Sequence, residues 1–588
     1  MSREAQDEKI RNLERLYSVG IALSSERNRD RLLETILLEA KSLCNADGGS
    51  LYLRTDDDHL KFVIVRTDSL KTAFGGTTGT PIALPPIPMF DARTGTPNNK
   101  NVATAAALLK RSVNIPDAYD APGFDFSGTK AFDERNNYRS KSLLAIPLVN
   151  SEGRVIGVLQ LLNATDPTTG MVVPFAEEHQ RIVEALASQA GIALDNQLLL
   201  DGQRELLESF IKAIASAIDS KSPHTGAHCE RVPILTEMLA QAVCDSKSGA
   251  YADFRLDDDE WYELRIAAWM HDCGKVTTPV HVMDKSTKLE ALFDRIEVVR
   301  ARFEVLKRDA EIAHLRAVAG GADAAASERA LAETRAKLDA DLAFLENANV
   351  GGEFLEPEKQ NLIGEIGRRE YFQGGAARTL LTRDEIRNLA ISRGTLNPEE
   401  RLVINAHMVQ TIKMLEALPF PRNLRRVPEY ASGHHEKMDG TGYPRGVFAG
   451  DMSIPARIMA IADVFEALTA QDRPYKGAKK LSETMRIMGF MKRDNHLDPD
   501  LFDLFISSGV YREYAKRFLP AELVDEVDEA ALLGSTPKPF KLPDPETRAQ
   551  RQKEFLLEYR SKEPARQSIM QPGRKSLLPT HRRPLTNT

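Results

Sequence analysis

The sequence predicts a multidomain protein: an α+β domain, then an all-α domain carrying an inserted helical hairpin. Three observations lead there. Short β-branched and aromatic runs lie between turn residues from 50 to 163, with amphipathic helical patterns on either side. From 177 onward the patterning is mostly helical. Within that region, 290–346 is charged and rich in Ala, Glu and Arg, with two apolar stripes separated by a glycine break. At 588 residues, the chain is also too long for a single core.

The elements follow in order. Ile10, Leu13 and Leu16, spaced at three, predict a helix over 5–24, and a second spans roughly 29–44. SLYLR (50–54) and KFVIVR (61–66) read as strands, followed by a Gly/Thr/Pro-rich loop. SLLAIPLV (142–149) and VIGVLQLLN (155–163) flank Asn150-Ser151-Glu152-Gly153 and predict a hairpin. A helix begins near Glu177 and runs on, because Leu207, Ile211, Ile214 and Ile218 recur at four, three and four residues. Such a seam either links two domains as one long helix or packs half of itself on the next domain. Ile296, Val299, Phe303 and Leu306 form one stripe of the inserted hairpin; Leu331, Leu338, Leu342 and Leu345 form the other. Gly320 and Gly321 break the helix between them. Residues 347–395 are mixed, helical patterning resumes near 398, and the last residues carry Pro, Lys and Arg with little periodicity. The expected organisation is an N-terminal helix (1–28), an α+β domain (29–197), a linker helix (198–220) and a helical domain (221–530). A helical-hairpin insertion (290–395) interrupts the helical domain, and a largely disordered basic tail (531–588) follows it.

Composition narrows the function. Net charge is 78 − 85 = −7, which argues against nucleic-acid binding. No apolar run approaches the ~18 residues of a membrane span, and the charged start is unlike a signal peptide. Cys44, Cys229, Cys244 and Cys273 are widely spaced without a CxxC pair and read as reduced thiols. The expectation is a cytoplasmic protein without membrane or nucleic-acid partners.

The chemistry lies in the histidines. Only 12 exist, and half of them fall in a few short segments, each in or beside a helical pattern. HTGAH supplies His224 and His228, HDCGK supplies His271, Asp272, Gly274 and Lys275, and INAHM supplies His407. GHHE supplies His434 and His435, and IADVFEAL supplies Asp463. Any one of these is more often a satisfied core or capping residue. Together, so many buried imidazoles and carboxylates without a cation would be costly. Several helices can each aim one such residue at a shared centre. The donors are nitrogen and oxygen without thiolate, which suits Fe or Mn, with Zn as the alternative. They exceed what one ion takes, so at least two ions are expected. Such a pair can hold both the attacking and the leaving oxygen of a phosphoester. Lys275 would bring a point charge to a phosphate oxygen, or form a surface salt bridge. The adjacent His434 and His435 point about 100° apart on a helix. They converge only if they serve different ions or if the helix end is irregular.

His228, HDxGK (271–275), His407, HHExxDGxGYPxG (434–446), Asp463 and DRPYK (472–476) together resemble the HD-GYP family of cyclic di-GMP phosphodiesterases. The resemblance covers about 220–290 and 396–515. It implies that His228, His271, Asp272 and Asp463 form the basic metal set and that His407, His434 and His435 are added ligands. It assigns Asp272 and Lys275 to catalysis, and Lys275, Arg473 and Lys476 to substrate phosphate. Gly442-Tyr443-Pro444 forms the substrate-side lip, where Tyr443 would shape the loop or stack on guanine. His224 stands where some members carry an acidic ligand, so it would bind a third ion or sit outside the ligand shell. The segment after HDxGK is longer by roughly a hundred residues than in the family.

Residues 12–197 resemble a GAF domain through SLLAIPLV, VIGVLQLLN and PFAEEHQRIVEALASQAGIAL. Cyclic-nucleotide-binding members carry an Asn-Lys…Phe…Asp-Glu signature. Here Asn163 is followed by Ala164, and Glu177-Glu178 only approximates the acidic end. The implied whole is a regulated hydrolase. The GAF domain binds an unidentified small ligand or dimerises, the helices are candidates for a homodimer, and the HD-GYP domain cuts cyclic di-GMP to pGpG and then GMP. The alternatives are a non-catalytic cyclic-dinucleotide or partner-binding protein, and a hydrolase of another phosphoester.

Overall fold

Asn28 separates the first two helices: its side chain accepts the N–H of Arg31 and starts α2 (Arg29–Leu43) after α1 (Arg3–Ser25). The protein, a computed structural model, is described over residues 3–221, 228–352, 354–470 and 479–561. It divides into two units, 1–207 and 208–588.

The first unit is built on one antiparallel sheet. Its strands are β1 (Ala46–Arg54), β2 (His59–Thr67), β3 (Thr72–Gly75), β4 (Ile87–Pro88), β5 (Val113–Ile115), β6 (Leu143–Val149), β7 (Val155–Thr165) and β8 (Val172–Val173). The order is β3-β2-β1-β7-β6-β5, with β4 on β2 and β8 on β7. The β6–β7 hairpin forms where the sequence places it, closed by Gly153 N–H donating to Asn150 O at 3.0 Å, with Gly153 at φ 76°. On one face, Leu144, Ile146 and Leu148 pack with Ile36, Leu37, Leu186 and Ala190 from α2 and α5 (Glu177–Asp219). On the other, Leu143 and Ala145 pack with Val102 and Ala106 of α3 (Val102–Leu109). Both faces are covered, which is why SLLAIPLV is apolar at nearly every position instead of alternating. A further helix, α4 (Ser127–Asn136), precedes β6.

Helix α5 is one continuous 43-residue helix. Val183, Leu186, Ala190 and Leu194 belong to the first unit's core. Ile211 and Ile218 are buried in the second unit's core, while Leu207 and Ile214 are exposed. The predicted seam is therefore split: one half packs on the helical core and the other faces out.

The second unit is helical around the site. It comprises α6 (His228–Asp245), α7 (Asp258–Met270), α8 (Val280–Met283), an insertion, and then α13 (Pro398–Glu416), α14 (Val427–Ser432), α15 (Ile454–Thr469), α16 (Leu481–Arg493), α17 (Pro499–Ser507) and α18 (Val510–Phe518). The insertion opens with the antiparallel pair α9 (Ile296–Ala319) and α10 (Ala324–Val350). The predicted stripes meet there: Ile296, Val299 and Phe303 with Leu338 and Leu345, and Leu306 and Leu342 at the margin.

Two expectations need correction. The helical-hairpin insertion expected over 290–395 is not wholly helical. It continues through α11 (Pro357–Gly367), β9 (Glu370–Gln373), β10 (Ala376–Thr379) and α12 (Arg383–Leu389). The strands form because Gly374 and Gly375, at φ 59° and 82°, turn the chain tightly. Leu355, Ile363, Ile366, Leu380, Leu381 and Leu389 then join the hairpin's core. Second, the tail expected to be largely disordered carries α19 (Glu529–Leu533) and α20 (Pro545–Ser561). The intervening chain is anchored by Lys538 N–H donating to Arg493 O at 2.8 Å, and α20 by Arg548 bonded to Asp451. Low local periodicity missed it because these anchors are long-range. Residues 562–588 lie outside the described residues.

Candidate metal centre

Each ligand candidate sits at a place its local sequence dictates. Helix α7 starts with a capping box, Asp257 with Glu260, and ends at its C-cap, His271. Asp272 follows and leads into the 3-10 turn Cys273–Thr277. Helix α13 starts with a second capping box, Asn397 with Glu400, and Pro398 at its first position; this leaves His407 mid-helix. His434 and His435 lie in the turn beyond the short helix α14. Asp463 is on α15, started by Ser453, and His228 opens α6.

Two close approaches bring these elements together. Gly274 lies against α13: its N–H donates to Thr411 Oγ1 at 2.9 Å, and a Cβ there would overlap His407 O. Gly433 lies against α15, where a Cβ would stand 2.6 Å from the Ala456 Cβ. The first sets His407 beside Asp272, with Nε2 3.2 Å from Oδ1. The second sets the His434–His435 turn beside Asp463.

Donor atoms converge in two groups: His228, His271, Asp272 and Asp463, and Asp272, His407, His434 and His435. In each, the ligand atoms lie within 4.8 Å of one another. Asp272 belongs to both. Its Oδ2 lies 3.3 Å from His228 Nε2 and 3.1 Å from His271 Nε2, while Oδ1 faces His407. Asp463 Oδ1 lies 3.3 Å from His228 Nε2 and 3.9 Å from His271 Nε2. His434 and His435 fall in the same group, in an irregular turn at the end of α14 that lets adjacent histidines converge.

The hydrogen bonds test whether a cation fits. His271, His407 and His434 each place Nδ1 against the carbonyl three residues back: Ala268 at 2.7 Å, Ile404 at 2.6 Å and Ala431 at 2.7 Å. His228 Nδ1 faces Glu466 Oε2. A carbonyl accepts only a donor, so the proton sits on Nδ1 and the Nε2 lone pair faces inward. The Nε2 atoms of all four, together with Asp272 Oδ1, are buried without a hydrogen-bond partner. Orphaned acceptors in such number are costly unless a cation satisfies them. The donor set therefore fits divalent metal ions.

The electrostatics agree at His434, His435, Asp272 and Asp463, whereas at His228 the surrounding carboxylates favour the protonated ring, a positive charge standing where a cation would otherwise balance them. Burial and His271 press His434 down to about 4, and burial with His434 presses His435 down, so both stay neutral. Burial opposes ionised Asp272, but Lys275, His271 and His228 outweigh it and hold its pKa well below the carboxylate range. Burial likewise opposes ionised Asp463, and His228 and His434 outweigh it. Burial disfavours charged His228, yet Glu466, Asp272 and Asp463 raise its pKa well above the usual value.

Other predicted residues fall into place around the centre. Lys275 Nζ stands 2.5 Å from Asp272 Oδ2, ion-paired with the shared carboxylate. Gly442 lies on the backbone of Glu436 and Lys437, closer than any Cβ would allow. The Tyr443 ring stacks on His435, centroids 4.8 Å apart at 25°, and the Tyr443–Pro444 bond is cis. His224, Arg473 and Lys476 lie outside the described residues.

Residues that the sequence reading missed hold this arrangement. Glu466, buried on α15, also accepts Arg231 Nε at 2.7 Å. Its signal was its place three residues after Asp463, on the same helix face. Glu436 accepts the N–H of Arg445 at 2.8 Å and Val447 at 3.0 Å, and burial lifts its pKa to about 7. At the end of α5, Asp219 accepts Cys229 N–H at 3.0 Å, one residue past His228. Lys221 Nζ donates to the carbonyls of Lys275 at 3.3 Å, Val276 at 2.5 Å and Thr278 at 2.6 Å. In the first unit, Asn163 is structural: it accepts Lys141 N–H at 2.7 Å and donates to Tyr138 OH at 2.9 Å and Arg139 O at 2.8 Å.

Comparison with known proteins identifies the two domain families. The HD domain family matches residues 382–501 and the GAF domain family residues 28–194. The chain is 42% identical over 113 residues to 3'3'-cGAMP-specific phosphodiesterase 1 of Vibrio cholerae (19% of this chain, 25% of the relative). It is 24% identical over 325 residues to 3'3'-cGAMP-specific phosphodiesterase 3 of the same organism (55% and 42%). It is 37% identical over 98 residues to a cyclic di-GMP phosphodiesterase of Thermotoga maritima (17% and 26%). The matched stretches span less than half of each relative's length. Among the described residues, no helix is long and apolar enough to cross a membrane. The chain thus carries a GAF domain followed by a largely helical region bearing an HD domain.

Proposed function

We propose that the chain is a metal-dependent phosphodiesterase that hydrolyses cyclic di-GMP to pGpG, and further to GMP, under control of its GAF domain. The observation that supports this is the pair of ligand groups sharing Asp272, with inward-facing imidazole nitrogens that lack a hydrogen-bond partner. Two divalent ions, Fe or Mn with Zn as the alternative, or three with His224, would lower the pKa of water and polarise a phosphoryl oxygen when bound. The chain's own residues do the rest. The i−3 carbonyls hold three imidazoles in one tautomer, and Glu466 orients His228. Asp272 ties the two groups together. Lys275 brings a fixed positive charge to the same place, and its proposed role is to pass from Asp272 to a phosphoryl oxygen as charge develops there. The Gly442-Tyr443-Pro444 lip beside His435 would receive the base or ribose of the substrate.

A second substrate has a specific observation in its favour. Two of the relatives described above are named for 3'3'-cGAMP, so a mixed cyclic dinucleotide competes with cyclic di-GMP. The test is a substrate panel with product chromatography, run beside elemental analysis. Metal-loaded protein is expected to open cyclic di-GMP to the linear dinucleotide; a chelator should abolish turnover and added metal restore it. Faster turnover of 3'3'-cGAMP would move the assignment to that substrate. Metal-loaded protein that hydrolyses neither would support a binding protein instead.

For regulation, the proposal places the coupling at the end of α5, where Asp219 and Lys221 hold both ligand-bearing segments. Lys221→Ala is expected to reduce turnover about tenfold, the scale of lost support around metal ligands. Lys221→Arg should restore much of it. Steady-state kinetics that leave Lys221→Ala at wild-type turnover would rule this coupling out.

A further inference from the structure

The C-terminal segment 538–548 lies on the loop that bears Gly442-Tyr443-Pro444. That loop leaves His435 and runs to Ser453, where α15 begins. Its inner side is held by Glu436, which accepts the amides of Arg445 and Val447. Phe448, next in sequence, is 1% exposed, bridges Asp439 and packs on Gly440.

The outer side of the same loop is held by residues 538–548. Lys538 joins residues 493–495: its N–H donates to Arg493 O at 2.8 Å, its carbonyl accepts Asn495 Nδ2 at 3.0 Å, and its Nζ lies 2.8 Å from Asp494 Oδ1. Asn495 O in turn accepts the N–H of Met438, within the loop, at 3.0 Å. Phe540 lies parallel to Phe448, centroids 6.3 Å apart at 7°. Leu542 covers Gly450, so closely that a Cβ there would stand 2.9 Å from its Cδ2. Arg548 grips Asp451 with two bonds, Nε at 2.7 Å and Nη2 at 3.0 Å, and its Nη1 donates to Pro543 O at 2.8 Å. A two-bond fork fixes direction as well as distance. The contacts form a chain: Arg548 and Phe540 hold Asp451 and Phe448, Val447 beside them is tied to Glu436, and Glu436 adjoins the ligand His435.

We propose that residues 538–548 are a strap that positions the Gly442-Tyr443-Pro444 lip, making Phe540 and Arg548 positioning residues for substrate binding. The substrate half of this rests on the phosphodiesterase reading above; the strap itself does not. A segment that merely covered apolar surface would stabilise the unit as a whole. A strap acts locally, on lip mobility and on affinity.

The test uses metal-loaded protein of the whole chain carrying Arg548→Ala, Phe540→Ala, both together, and Arg548→Lys. In the double variant, amide exchange over 437–451 is expected to quicken about tenfold while α13 and α15 keep their protection. Metal content should hold, KM for cyclic di-GMP should rise about tenfold, and kcat should stay within about twofold, the signature of lost binding without lost chemistry. Arg548→Lys keeps the charge but not the fork and should fall between wild type and Arg548→Ala. Unchanged exchange in the lip overturns the proposal. So does a fall in kcat and metal content with KM unmoved, which would mark a general structural role. If the wild-type protein turns over no cyclic dinucleotide, the phosphodiesterase reading fails, and the exchange measurement still decides the strap.

Discussion

Asp272→Ala is expected to cost the proposed two-ion site both equivalents of metal and about 10²–10³-fold in turnover, the scale of removing one preorganised group from an active site. The reason is geometric. Among the described residues, Asp272 is the one common to both ligand groups, with Oδ2 toward His228 and His271 and Oδ1 toward His407. His434→Ala is the informative companion, since His434 belongs to one group. It should lose about one equivalent of metal where Asp272→Ala loses two. Asp272→Asn keeps the volume and removes the charge, and should behave like the alanine variant. Elemental analysis beside turnover reads this directly. Retention of both equivalents by Asp272→Ala would show that the two groups do not share a carboxylate.

Gly274→Ala should have the second largest effect, although it alters no ligand. The added Cβ would overlap His407 O and stand 2.5 Å from Thr411 N and 2.7 Å from Thr411 Oγ1. Two of these are backbone atoms of α13, so no side-chain rotation relieves the clash. Either α13 or the turn after Asp272 must move. Separation of His407 from Asp272 by an ångström is expected to lower turnover about 10²-fold. Overpacking should cost about 2 kcal/mol of stability. The loss should fall on the metal equivalent that needs His407, leaving His228, His271, Asp272 and Asp463 able to hold the other. Denaturant unfolding with metal analysis tests both parts. Wild-type stability together with full metal content would contradict the close approach.

The candidate site was unusually open to a sequence reading because its chemistry uses scarce residue types. With 12 histidines in the chain, their concentration in short helical segments could be seen without a fold. The residues that support them use common types and could not be seen that way. Glu466 looks like any helical glutamate until His228, 238 residues away in sequence, is packed against it. Lys221 looks like a surface lysine until the carbonyls of 275, 276 and 278 turn toward it. Lys275, expected as a phosphate contact or a surface salt bridge, has its ion pair with buried Asp272 visible only in the folded chain. The tail misled for the same reason: its order comes from Asp451, Phe448 and Asn495 and not from its own periodicity.

The sequence by itself determined the fold class, the strands and stripes whose periods of two and 3.6 follow from local geometry, and the list of nitrogen and oxygen donors. Only the tertiary structure brought Asp272 within reach of both donor groups, placed adjacent His434 and His435 together in one of them, and laid residues 538–548 against the loop that carries Gly442-Tyr443-Pro444. Periodicity is written into neighbouring residues. Convergence depends on which helices touch, and here that turns on glycines such as Gly274 and Gly433, whose missing side chains let backbones meet.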